Sequence, residues 1–144
     1  MSSRKMKDIK LMKIEEKLGI TLPKTLREFY LTTRSYYSVS DTYFGSPDWI
    51  YLEGPNYDED LREENENYPN VLIIAEHYQG CYYWRIDVND LEEEDPPILY
   101  YQDDDECEWE RTGLRCHEFM NFMKKWRHEI DILDKIKNLM EGKR

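Results

Sequence analysis

Two runs of carboxylates, Asp103-Asp104-Asp105-Glu106 and Glu92-Glu93-Glu94-Asp95, are the side chains of this sequence best suited to chemistry. Hard divalent cations take carboxylate oxygens, so the aspartate run is first a candidate cation site. Its spacing argues otherwise. A calcium loop sets ligands at alternating positions, with a glycine for the turn and a distal glutamate. Three consecutive aspartates between ILYYQ and ECEWE have the layout of a solvated hairpin tip, with contact to a partner as the second use. The Glu92–Asp95 run reads the same way. Cys107, Cys116, His117 and His128 hold zinc-compatible atoms, but only Cys116-His117 is closely spaced, and neighbouring residues on a helix point apart. A cysteine nucleophile needs a base, and nothing selects among His77, His117 and His128. There is no glycine-rich phosphate loop and no G-x-S-x-G elbow. The sequence therefore predicts no catalytic residue, no metal and no cofactor.

Contact chemistry is better represented. The chain of 144 residues carries 20 basic and 31 acidic side chains, net −11, and residues 90–110 contain eleven carboxylates without one Lys or Arg. Such a surface disfavours direct binding to nucleic acid or to an anionic membrane, and it suits a basic protein partner. Tyr36, Tyr37 and Tyr43 lie in a polar segment and Tyr78 in the EHYQG turn; tyrosine offers contact area at low entropic cost, and it also serves cores. Tyr36, Tyr37, Tyr78, Asp103, Asp104 and Asp105 are the candidate partner-binding residues. Three cysteines in no regular pattern, the absence of a signal-like apolar core in MSSRKMKDIK, and no apolar run near the roughly 20 residues that span a bilayer give the expectation of a cytoplasmic protein.

The elements that position these residues are legible in outline. Leu11, Ile14 and Leu18 line one face of a helix over about 5–18, Gly19 stops it, and Pro23 opens a second helix over about 24–32. Short strands are expected at WIYLE (49–53), VLIIA (71–75), CYYWRIDV (81–88), ILYYQ (98–102) and ECEWE (106–110), with a short acidic helix from Asn56 to about Asn67. Phe119, Met123, Trp126, Ile130 and Leu133 then step at helical spacing, as one long helix or two abutting ones. Strands grouped in the middle and helices at both ends predict an α+β fold: a largely antiparallel sheet of about five to six strands, flanked by N-terminal helices and a long C-terminal helix. A single domain over 1–144 is expected, its core at about 9–127 and a helical extension at 128–144 that could pair with a second copy, so monomer and homodimer both stay open.

The order L-G-x-x-L-P-x-x-L-x-x-F-Y in residues 18–30, then NVLIIAEHYQGCYYWRIDV, ILYYQDDDECEWE and CHEFMNFMKKW, resembles the SUKH superfamily, which includes bacterial toxin-immunity proteins and yeast regulators of cell-wall synthesis. The sequence departs from it in lacking the Gly-Gly pair after the second helix and in the glycine-poor turn EHYQG. The resemblance implies a binding module without catalysis. It implies an immunity protein that binds and occludes a cognate basic toxin domain, a nuclease among the candidates. An adaptor on the same fold, and a small hydrolase with an unrecognised site, are the alternatives.

Overall fold

The computed structural model of the protein describes residues 3–32, 37–39, 42–44, 47–57, 69–77, 82–102, 108–125 and 132–143. The first helix, α1 (Ser3–Leu18), ends on a left-handed Gly19 at φ 70°, and the Ile20 N–H donates to the Glu15 carbonyl at 3.1 Å, a Schellman close. Pro23 then precedes α2 (Lys24–Thr32), the span read from sequence. Glu15 ties the corner together. Its carboxylate accepts from the Leu22 backbone N–H at 2.7 Å and pairs with Arg27, which also holds Asp8. Charge-assisted bonds of this kind are roughly twice as strong as neutral ones, so the angle between the helices is fixed.

Among the described residues, seven strands form one sheet, and every pairing is antiparallel. They are β1 (Tyr37–Val39), β2 (Thr42–Phe44), β3 (Tyr51–Glu53), β4 (Val71–His77), β5 (Tyr82–Asp87), β6 (Pro97–Gln102) and β7 (Glu108–Arg115). The order is β1-β2-β4-β5-β6-β7, and β3 shares with β2 one flank of β4. The α+β class and the antiparallel sheet are as expected. The strand count is higher because the Ser/Thr/Tyr segment contributes β1 and β2. WIYLE divides into a 3-10 turn, Pro47–Trp49, and β3. The last strand continues to Arg115, past its expected end. The expected acidic helix after Asn56 falls on residues outside the described ones.

Alternation sorts the strand side chains onto two faces. Leu72, Ile74, Trp84, Ile86, Ile98, Tyr100 and Leu114 face the helices and join Leu11, Leu26, Phe29, Tyr30, Phe119 and Met123 in one buried cluster. Trp84 lies at its centre, its ring centroid 5.7 Å from that of Tyr100 and 5.8 Å from that of Phe119. The opposite face carries a smaller cluster of Val71, Ile73 and Leu99, with Tyr83 against it. On that face the buried Arg85 guanidinium lies 4.4 Å above the Tyr101 ring.

The C-terminal helical pattern becomes two helices, α3 (Cys116–Lys125) and α4 (Ile132–Lys143). Ile136 and Met140 of α4 are buried in the main cluster. Their apolar face is spent on the protein's own core, so α4 does not offer it for pairing with another copy.

Candidate partner-binding surface

The loop from β5 to β6 holds the densest set of described carboxylates, and it is a shaped element. Asp87 caps a 3-10 turn, Val88–Asp90, by accepting from the Asn89 N–H at 2.9 Å. The Leu91 N–H donates to Val88 O and the Glu93 N–H to Asp90 O, while the Val88 N–H anchors on Asn70 O. The far end of the loop closes two helices. At α2, the Thr25 N–H and hydroxyl both donate to Glu94 O, at 3.0 and 2.9 Å. At α3, the preceding residue is Arg115, whose side chain has no acceptor for capping. The loop supplies what is missing: the Cys116 N–H donates to Pro96 O at 2.8 Å and the His117 N–H to Asp95 Oδ1 at 2.8 Å. Glu118 reaches back to the Arg115 N–H at 3.1 Å. Two positive helix ends thus converge on Glu94–Pro96 and favour the negative charge gathered there.

The carboxylates of this ridge differ. Glu93 reaches Arg115 at 3.5 Å, a contact of little energetic weight between exposed groups. Glu92 and Glu94 are exposed, and their carboxylates have no partner among the described residues. Partial burial pushes the Asp90 carboxyl above its ordinary value, the nearby Asp87 and Glu93 add to this, and Arg111 and Arg115 oppose it. A groove runs along each side of the ridge. One, about 560 Å³, has an apolar floor that includes Leu22, Val88 and Leu91. The other, about 390 Å³, lies between α2 and α3 over Phe29 and Met120, with Lys24 and Lys124 at its margins.

Groups capable of catalysis are committed to structure here. The Cys116 thiol is buried and its pKa is pushed up to about 12, chiefly by desolvation, against a lowering contribution from its hydrogen bond to Thr25. A thiolate is therefore not available near neutral pH. His117 Nδ1 lies 2.5 Å from Asp95 Oδ2, but that carboxylate is the cap of α3. Among the described residues, no three His, Cys, Asp or Glu side chains are grouped to hold a metal. Among the same residues, no helix is long and apolar enough to cross a membrane.

Residues 6–122 match the SMI1/KNR4 family, SUKH-1. The chain belongs to the SMI1/KNR4 (SUKH-1) family. No curated protein and no solved structure matches it. The family match covers the helices, the sheet and most of α3, and stops short of α4. Membership agrees with a binding module of the immunity or regulatory kind and with protein partners in general.

In this SUKH-1 chain, Tyr36, Tyr78, Asp103, Asp104 and Asp105 lie outside the described residues, and of Tyr37 only the backbone is described, opening β1 opposite Phe44. The residues that bracket the last two groups are in register: His77 pairs Tyr82, Tyr82 pairs Gln102, and Gln102 pairs Glu108. Those four strand ends therefore lie at one end of the sheet. The ridge stands at the other, where Asp87, Pro97 and Arg115 lie. Sequence reasoning read Glu92–Asp95 as an exposed connection and missed its rigidity. The available signal was Pro96-Pro97, which restricts the loop exit.

Proposed function

We propose that the protein is a cytoplasmic immunity protein that binds and occludes a basic toxin domain, without catalysis of its own. The observation that carries this reading is the ridge, in which Glu92 and Glu94 project from a backbone held by two helix ends. Ordering entropy is a main cost of association. A loop already fixed in the free protein avoids most of it. A nuclease-type domain must be cationic where it holds phosphate, and carboxylates held at fixed spacing compete for the same Arg and Lys side chains. Tyr36, Tyr37, Tyr78, Asp103, Asp104 and Asp105 are the further contact residues of the proposal. An interface of standard size is about 1,600 Å² in total.

The test is co-expression with the product of the adjacent large reading frame, scored by survival of the host cell. Survival with the wild-type chain, and a slower association at low salt for E92Q/E93Q/E94Q, is the expected result. Death of the host despite folded protein would overturn the immunity reading. An unchanged rate for the triple variant, with a slowed rate for D103N/D104N/D105N, would move contact from the ridge to the aspartate run.

A further inference from the structure

One helix of this acidic protein is basic. In α1 six Lys and Arg stand against three Asp and Glu, a local +3 that leaves −14 on the rest of a chain at −11. The same helix is apolar on both sides. Leu11 faces the core, with Ile14 and Leu18 packed beside it. Met6, Ile9 and Met12 face away at three-residue intervals and are 60%, 37% and 57% exposed. Of the five large hydrophobics exposed among the described residues, these are three. Lys13 and Lys17 are exposed on that outer face. Clustered apolar side chains at a surface with a polar rim, here Lys13, Lys17 and Glu16, mark a contact site.

A matching surface lies next to it on the same molecule. The groove of about 560 Å³ beside the ridge has Ile20, Leu22, Val88 and Leu91 for its apolar part and Glu92 and Glu94 on its rim. Ile20 and Thr21, which follow Gly19 at the end of α1, also border the depression beside Met12, where Asp8, Glu15 and Glu16 stand with Arg27. A basic, methionine-studded strip and an acidic, apolar-floored groove therefore adjoin through Ile20–Thr21. Two neighbouring patches of opposite character are self-complementary under a two-fold axis that passes between them. Methionine is suited to irregular apolar grooves.

We propose that the protein forms a two-fold dimer in which α1 of each copy lies along the groove beside the acidic ridge of the other. Met12 seats over the Val88–Leu91 floor, and Lys13 and Lys17 face Glu92 and Glu94. The proposal does not rest on the toxin reading and its test needs no toxin, but both use Glu92 and Glu94, so the dimer must open before the ridge can meet another partner.

Sedimentation equilibrium of the full chain at low salt should show a dimer that dissociates at high salt. K13E/K17E and E92K/E94K, each at exposed positions and each checked for an unchanged thermal melt, should weaken dimerisation at least about tenfold, the scale of one close charge pair. An equimolar mixture of the two variants should restore it, since opposite charges then face each other in one arrangement. A wild-type monomer at low salt, or a dimer indifferent to K13E/K17E, would overturn the proposal. So would a monomer that co-sediments with anionic vesicles through α1, which would give this face to a membrane.

Discussion

Asp95 accepts from His117 twice, through Oδ1 from the backbone N–H at 2.8 Å and through Oδ2 against ring Nδ1 at 2.5 Å. The first bond supplies the cap that Arg115 cannot. Both side chains are partly exposed, so the ring contact carries little of the energy and the cap most of it. Asp95→Ala should cost about 0.5–2 kcal/mol of stability, the range for a lost helix cap. His117→Ala should cost less. Urea unfolding of both variants separates the two contributions.

Asp90 gives the pH dependence. Its carboxyl is raised in the fold, first by desolvation and then by Asp87 and Glu93. A group raised in the native state favours folding while protonated, and that contribution disappears as pH climbs through the raised value. Ionised Asp90 therefore opposes folding at neutral pH. Asp90→Asn should raise the melting temperature at neutral pH, and the gain should vanish below the ordinary carboxylate range. A melt series in pH checks it.

Thr112 is fully buried at the irregularity between β6 and β7, where its hydroxyl donates to Ile98 O at 2.8 Å and accepts from the Leu114 N–H at 3.0 Å. Thr112→Val keeps the shape and strands both backbone groups. The expected loss is about 1–3 kcal/mol, by denaturant unfolding.

Gly54 has φ 135°, and an added Cβ would lie 2.7 Å from Asn70 Cα and from Pro69 O. Both are backbone atoms and cannot swing aside. Gly54→Ala should destabilise by more than about 1 kcal/mol, with hydrogen exchange rising at β3 and the start of β4.

The Tyr30 hydroxyl is buried without a partner among the described residues, and burial raises its pKa. Removing an unsatisfied buried group relieves a desolvation cost. Tyr30→Phe should leave the melting temperature unchanged or higher. A fall would show that the hydroxyl has a bonding role.

The legibility of these features in sequence follows their range along the chain. Gly19, Pro23 and the spacing of Leu11, Ile14 and Leu18 are local signals, and they predicted the end of α1 and the span of α2. Tyr82, Trp84 and Ile86 alternate strongly enough to show the buried side of β5. β1 and β2 have three residues each, too few to establish a period. The start of α3 near Cys116 follows from the return of helical spacing, but its cap was hidden: Arg115 is a poor cap, and its substitutes, Asp95 and Pro96, come from the far side of a β-hairpin. The outer face of α1 was missed because a helix apolar on two sides shows no single stripe. Of the candidate contact residues, the aspartate run and Tyr78 lie outside the described residues, while the ridge depends on contacts between distant residues.

The closure of two helices by main-chain carbonyls bears on how this surface can diverge. Glu94 and Pro96 do that work with oxygens that every amino acid possesses, and Asp95 alone contributes a side chain. Positions 92–94 are thus open to replacement by almost any residue without unseating the scaffold, while Leu91 packs against the core. A lineage pressed to recognise a changing target could rewrite them freely, while Asp95 would stay constant.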